Sequence, residues 1–453
     1  MLRTKIPVRY QNPHATAGLT LDLDVIENTP IDEISNHVKK NSREYSNWLQ
    51  FKDEHNGSAI MVAGGDSIND HIDDIKRLKD KGGAVFAMNG ASKWCHKHGI
   101  DVDYQVILDA KQETSYLVDP QAKMNLISSQ CHPDTFKQVD DPVLWHLIRE
   151  DIESWIPEDR VNKGGYVMVG GDSSAGICAL CLAYTQGFRH IHVFGYDTSH
   201  RDGKGHAYEQ RMNDTMPTMP MEWGGKEYQV SIALKDQPQN FMTYTHELER
   251  VGCQFTVYGD GILQAIYHTD ASTLTEQEKY KLMWMFPAYR TVSPGASVAS
   301  FYVHKFHPEG EIYDFGCGTG KASVVFKKFG LNPVLIDFAD NCRDPEAGDL
   351  PFFEWDLTDP IPGKTKHGFC TDVMEHIPEK DVDKVIQNIM NCAEKVFFQI
   401  STEDDCCGSL IGATLHHTIK PHKWWYNKFQ DYDVIFDHNL GSASLFYVSR
   451  RDN

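Results

Sequence analysis

The sequence predicts an α/β protein made of two doubly wound domains. Three observations carry this. Short apolar runs ending in glycine or a carboxylate alternate with amphipathic stretches, the pattern of parallel strands linked by crossover helices. The length, 453 residues, exceeds what one hydrophobic core ordinarily supports. Glycine-rich turns between strand and helix occur in both halves, GGDS twice in the first and GCGTG once in the second. Each half therefore has its own set of strand ends, where ligands of such sheets bind.

Composition narrows the function classes. With 41% hydrophobic and 24% charged residues the chain reads as a soluble globular protein. No apolar run approaches the ~20 residues that span a bilayer, and the first residues, MLRTKIPVRYQNPH, lack the apolar core of a signal peptide. A cytoplasmic protein with no membrane partner is expected. A net charge of −20 repels phosphate backbones, so no nucleic-acid partner is expected either. The 11 cysteines read as reduced thiols. Cys178 and Cys181 form a CxxC, but inside the apolar run ICALCLAY and without a second pair at zinc spacing, so they read as buried small side chains.

Taken in order, residues 1–57 form an N-terminal helical extension, with Ile34, Val38, Tyr45 and Trp48 spaced among polar residues. A first domain is expected over 58–268. Its strands are 58–63 (SAIMVA), 84–88 ending at Asn89, 104–108 ending at Asp109, 166–169, 190–194 and 254–258. The first strand runs into Gly64, Gly65, Asp66 and Ser67, and the strand 166–169 into Gly170, Gly171, Asp172 and Ser173. Asp or Ser at a helix start is what capping requires, so each GGDS is either a cap or an anion cradle. The strand end Gly195-Tyr196-Asp197, with His200 and His206 nearby, tips the reading toward a site. Residues 212–240, rich in Met, Pro, Gly and Gln, read as a lid or a plain connection.

These motifs resemble a known family. AGGDSI, AVFAMNG, HGIDVDYQVILDA and VGGDSSAGICALCLAYTQGFRHIHVFGYDTSH followed by GHAYEQ are similar to the domain shared by motility-accessory-factor glycosyltransferases and archaeal hydroxymethyl-dihydropterin pyrophosphokinases. The resemblance implies a Rossmann-like nucleotide-binding domain that transfers either a nonulosonate-type sugar from a nucleotide sugar or pyrophosphate from ATP. It implies a nucleotide seat at Gly64, Gly65, Ser67 and Asn89, with Gly171 and Ser173 in the second turn. His206 is the implied acid or base, with Asp197 orienting it or binding metal; the alternative is a surface histidine. Family members often carry Gly-Pro-Ser where this chain has Gly65-Asp66-Ser67. The added negative charge faces an approaching phosphate, and a divalent cation held by Asp66 or Asp109 would reverse the local sign.

Residues 269–305, containing a helix over 276–284 and then PAYRTVSPGA, are expected to be a linker and a flap over the second site. The second domain, 306–453, opens with EIYDFGCGTGK, in which an apolar approach ends at Asp314 and continues into Gly316, Gly318 and Gly320. Glycines at alternate positions bring backbone close to a ligand and suit a nucleoside-type cofactor. A short strand then ends in Asp337, about 20 residues on, where a carboxylate accepts from both ribose hydroxyls. FFEWDL offers Asp356 at a further strand end, and FCTDVMEHIP follows over 369–378.

This order resembles the class I S-adenosylmethionine-dependent methyltransferases. The resemblance implies a seven-stranded sheet and S-adenosyl-L-methionine as cofactor. Asp314, Gly316, Gly318 and Gly320 then surround its methionine and sugar parts, Asp337 holds the ribose and Asp356 meets the adenine amino group. Asp372, grouped with the cofactor residues, and Glu375 face the ligand or cap a helix, capping being the reading for Glu375. His376 reaches the acceptor or packs. Lys366-His367-Gly368 stands where many relatives carry an aspartate. The stretch STEDDCCGSLIGATLHHTIKPHKWW is similar to the acceptor side of small-molecule and glycan methyltransferases, with His416 or His417 as proton acceptor. Alternatively those histidines are solvated and Trp424 and Trp425 pack on the sheet.

A bifunctional transferase is thus expected. Its partners are a small-molecule or glycan acceptor and a nucleotide or nucleotide sugar, with a divalent cation accompanying the nucleotide. Two alternatives concern the first domain, a pterin-type pyrophosphokinase or a non-catalytic binding module.

Overall fold

β1 (Ser58–Val62), with four of its five residues buried, begins an all-parallel sheet. A computed structural model of the chain describes residues 29–149, 152–163, 167–171, 174–210, 216–291, 295–405 and 407–451. It divides the chain into two compact units, Met1–Thr269 and Asp270–Asn453. The strands of the first unit are β1, β2 (Ala84–Met88), β3 (Tyr104–Ile107), β4 (Met124–Ser128), β5 (Val143–Leu147), β6 (Met168–Val169), β7 (His190–Phe194), β8 (Ser199–His200), β9 (Thr218–Trp223), β10 (Lys226–Ser231) and β11 (Gln254–Val257). Eight of them form the main sheet in the order β11-β7-β1-β2-β3-β4-β5-β6. Its strands read as continuous apolar runs because both faces are covered.

The helix Ala175–Thr185 lies in that core, with every residue from Gly176 to Thr185 buried, Cys178 and Cys181 among them. A helix apolar all round has no solvent face to offer. The N-terminal helix Ile31–Glu44 is no mere extension: Ile34 and Val38 join Ile107, Phe136 and Leu144 in one buried cluster. Two strands that the sequence analysis passed over, β4 and β5, complete the sheet. The segment read as a lid or connection holds the β9–β10 hairpin, turned by Gly224 and Gly225 at φ +59° and +72° and joined to β8.

The second unit has seven strands, as expected: β12 (Glu311–Phe315), β13 (Asn332–Asp337), β14 (Phe352–Glu354), β15 (Thr365–Thr371), β16 (Ala393–Ser401), β17 (Asp433–Asn439) and β18 (Ala443–Ser449). Their order is β14-β13-β12-β15-β16-β18-β17, parallel except where β18 runs against β16 and β17. The stretch expected as linker and flap belongs to this unit and holds helices Glu276–Met283, Pro287–Thr291 and Gly295–Phe306. Helix Gly295–Phe306 buries Ala299 and Tyr302 against Phe326, Phe369 and Phe397. On the other core, Val385, Ile386, Ile389 and Met390 of helix Val382–Cys392 pack with Phe398 and Trp425. Trp425 is therefore a sheet-packing residue, the second of the two readings. Among the described residues, no helix is long and apolar enough to cross a membrane.

Candidate functional site

Each main sheet has a switch point from which its parallel strands run off in opposite sequence order, and ligands of such sheets bind at the carboxyl ends of the strands flanking it. In the second unit the flanking strands are β12 and β15. The turn after β12 carries Gly316, Gly318 and Gly320 at φ +68°, +50° and +76°. Gly318 shows why: a β-carbon there would lie 2.8 Å from the Trp284 ring, besides facing the left-handed backbone penalty. The Gly318 amide donates to Asp337 Oδ2 at 3.0 Å, and the Ala339 amide donates to its Oδ1 at 3.0 Å. Asp314 accepts from Ser323 Oγ at 2.7 Å.

Burial sets the electrostatics here. It raises the Asp314 carboxyl to about 7, with the neighbouring Asp337 adding to the rise. It raises Asp337 to about 6 against the pull of its amide donors. Two such carboxyls beside a glycine turn favour a ligand with hydroxyl donors or positive charge. Asp356 is placed differently: it is exposed, beyond the end of β14, and accepts the Thr358 amide at 2.8 Å. Its chain neighbour Trp355 donates its amide to the Asp337 carbonyl at 2.8 Å.

After β15, Asp372 adopts φ +55°, and Gln399 grips it twice: the Asp372 amide donates to the Gln399 carbonyl at 2.9 Å, and Gln399 Nε2 to Asp372 Oδ2 at 2.8 Å. Burial raises its carboxyl to about 6. Glu375 corrects the expectation of a helix cap. It lies inside the short turn Met374–His376, is 1% exposed, and neither carboxylate oxygen receives a hydrogen bond of good geometry. His376 shares Nδ1 between Tyr280 Oη at 2.6 Å and the Leu415 carbonyl at 3.1 Å. His416 stands edge-on to it at 4.7 Å, with Nδ1 on the Glu403 carbonyl at 2.8 Å. His417, paired with it in the sequence analysis, turns onto Glu276 at 3.0 Å instead. Adjacent residues of an extended segment point opposite ways, so only one of the two faces His376.

In the first unit the flanking strands are β1 and β7. Here the structure corrects several assignments. Asp197 ties the two strand ends together: its carboxylate accepts the Ser67 amide at 2.8 Å, Ser67 Oγ at 2.5 Å and Gln264 Nε2 at 3.2 Å. Both oxygens thus hold the fold together. Ser67, 0% exposed, is consumed by the same bonds and does not line a seat. Gly65 packs under Asp197, and its amide donates to the Gly195 carbonyl at 2.9 Å. Gly171 gives its amide to Tyr244 Oη at 3.0 Å, and at φ +141° a β-carbon would lie 2.4 Å from the Cys178 nitrogen. The turn thus packs closely on the helix at this position. Ser173 lies outside the described residues. Asp109 accepts the Lys111 amide at 3.1 Å and belongs to neither three-ligand cluster found among the described residues. Asp66 lies 3.8 Å from Arg201, whose closer partners are Asp70 and Asp260.

Gly64 and Asn89, the other two residues of the expected nucleotide seat, are each partly exposed. His206 and Tyr208 stand over Gly64, 2.8 and 2.9 Å from where a β-carbon would be. Asn89, at φ +49°, has a buried Oδ1 with no hydrogen-bond partner. Arg149, just past β5 and 9% exposed, reaches Gln130 Oε1 at 3.1 Å. Sequence analysis missed Arg149 and Tyr208. A cation ending the apolar run VLWHLI was the signal for the first; an aromatic two residues from His206 was too common a pattern for the second.

Residues 32–203 match the family model described as 6-hydroxymethylpterin diphosphokinase MptE-like, in agreement with the resemblance of the first half. Among proteins of curated function, none matches the chain. Among solved structures, an O-methyltransferase family protein from Burkholderia thailandensis is 16% identical with a TM-score of 0.36, over 51% of this chain and 80% of that one. Magnesium protoporphyrin IX methyltransferase from Synechocystis PCC 6803 with bound SAH is 16% identical with a TM-score of 0.28, over 43% and 90%. MAf glycosyltransferase from Magnetospirillum magneticum AMB-1 is 13% identical with a TM-score of 0.39; the match covers 60% of this chain and 48% of that one. The chain thus carries an MptE-like region over residues 32–203, followed by a second α/β unit with its own glycine turn and strand-end carboxylates.

Proposed function

We propose that the chain is a bifunctional transferase whose second unit is an S-adenosylmethionine-dependent methyltransferase for a sugar or another small polar acceptor. One observation carries this reading: the Gly318 amide and the Asp337 carboxylate are joined at the switch point of the sheet, with Asp314 buried beside them. The glycine turn is closely packed, a β-carbon meeting Val373 at Gly316, Trp284 at Gly318 and Ala347 at Gly320, and the two carboxyls beside it suit a cationic, hydroxyl-bearing ligand. When bound, S-adenosylmethionine supplies a methyl already activated on a sulfonium. Asp337 would hold the ribose hydroxyls through the lone pairs its amide donors leave free. Asp314 would face the positive end, Asp356 the adenine amino group, and Asp372 the edge of the same seat. His416 rather than His417 lies with His376 on the acceptor side. Incubation with labelled S-adenosylmethionine and a panel of sugar nucleotides tests the proposal: label in a small product supports it, and label only in protein or nucleic acid contradicts it.

For the first unit, nucleotide-dependent transfer is the reading, with Asn89 and Gly64 at the nucleotide and His206 as acid or base. Diphosphate transfer from ATP to a pterin-type alcohol is the second reading, favoured by the family match over residues 32–203. Release of AMP from ATP distinguishes it from glycosyl transfer, which releases the nucleotide of the sugar donor.

A further inference from the structure

We propose that Glu375, His376 and His416 form a site for a divalent transition-metal ion on the acceptor side of the second unit. One ligand atom from each of the three lies within 4.8 Å of the other two. Donors on a Zn2+ with bonds of about 2.1 Å stand no more than roughly 4.2 Å apart, so closure takes small side-chain movements.

Three features point to a cation rather than to a packed polar cluster. Glu375 is 1% exposed and neither of its oxygens receives a hydrogen bond of good geometry, the backbone amides of Glu375 and Ser401 being its donors at longer range. A buried carboxylate left so is costly, and a metal bond satisfies it. A second carboxylate, Asp372, lies close enough to act on Glu375 electrostatically, and its own described side-chain partner is the neutral amide of Gln399. Finally, His416 is set in the tautomer a metal requires: a carbonyl oxygen only accepts, so Nδ1–H of His416 donates toward Glu403 O and its lone pair stays on Nε2. His376 is held at Nδ1 by Tyr280 Oη and the Leu415 carbonyl, the kind of contact that orients a metal-bound histidine.

Two imidazoles and a carboxylate suit Zn2+, Co2+ or Mn2+ over Mg2+ or Ca2+, and three protein donors leave positions open. Taking the methyltransferase reading as given, those positions would bind oxygen donors of the acceptor, such as adjacent hydroxyls of a sugar. The other three-ligand cluster, Cys317, Asp337 and Cys342, is a weaker candidate because both Asp337 oxygens already accept backbone amides.

The test uses the full, tag-free chain after chelator treatment, titrated with Co2+ and followed by its visible spectrum. One equivalent is expected to bind without the near-ultraviolet band of cobalt–thiolate charge transfer. Glu375→Gln and His416→Ala are expected to weaken binding at least about 100-fold, whereas His438→Ala, at an exposed position, leaves it intact. His416 is only half-buried, so its variant remains informative should Glu375→Gln misfold. Unchanged Co2+ binding in both variants, a thiolate band, or no binding by a chain that still binds S-adenosylhomocysteine would overturn the site. Loss of S-adenosylhomocysteine binding alongside intact Co2+ binding would instead count against the methyltransferase reading.

Discussion

The amide of Gly318 donates to the carboxylate of Asp337 at 3.0 Å, tying the glycine turn after β12 to the end of β13. The two residues are 19 positions apart in sequence, and this bond fixes the turn before any ligand arrives. Preorganisation of this kind lowers the ordering cost that binding would otherwise carry.

Gly318→Ala should damage that turn in two ways, through the positive φ of +50° and through a clash with Trp284 at 2.8 Å. A destabilisation of about 1–3 kcal/mol is expected for the second unit, with loss of S-adenosylhomocysteine binding. Gly330→Ala is the control: it has φ +85° but nothing within 4 Å of a β-carbon. It should lose stability through the backbone alone and still bind. Urea unfolding of both variants, read as separate transitions of the two units, checks this.

A pH dependence follows from Asp314 and Asp337, raised to about 7 and about 6 chiefly by burial. Both hold protons more tightly folded than unfolded, where an aspartate titrates near about 3.9. Their contribution to stability is therefore complete below about pH 4 and is lost as pH rises through about 6 to 7. His376, lowered to about 4 by burial, acts with the opposite sign, so the informative quantity is the difference between the native chain and Asp314→Asn. Ser323 and the thiols of Cys317 and Cys342 neighbour this pair and are unchanged in that comparison. Melting of the second unit should fall less between pH 5 and 7 in the variant; an equal or steeper fall would count against the assignment.

Ser67 and Asn89 should separate stability from binding in the first unit. Ser67→Ala removes the hydroxyl that holds buried Asp197 and is expected to cost about 1–3 kcal/mol, with nucleotide affinity little changed in the folded fraction. Asn89→Gly keeps the left-handed backbone and deletes an unpartnered oxygen. It should leave stability near the native value and lower nucleotide affinity. Calorimetric titration with nucleotides and urea unfolding of the two variants check the contrast, and the reverse pattern would contradict it.

Much of this architecture was legible because strand ends carry strong local signals. The strand 84–88 and the strand 190–194 have the limits expected from their apolar runs, since Asn89 and Gly195 stop them with positive φ. β4 and β5 were missed because MNLIS and VLWHL mix polar residues into buried positions: Asn125 and His146 are 6% and 1% exposed. The candidate site was less legible. Ser67 and Gly171 carry the residue types of a phosphate cradle, and only the long-range partners Asp197 and Tyr244 reveal that the fold has claimed them. Glu375 carries the spacing of a cap, and its burial depends on the covering segment around Leu415 to Thr418, some 40 residues away.

The seat for a sulfonium nucleoside is tested most directly by isothermal titration of the full chain with S-adenosylhomocysteine, beside Asp337→Ala. One site per chain is predicted for the native protein, with binding lost in the variant while its circular dichroism stays native. A folded native chain that takes up no S-adenosylhomocysteine, or an Asp337→Ala chain that binds it equally well, would contradict the account.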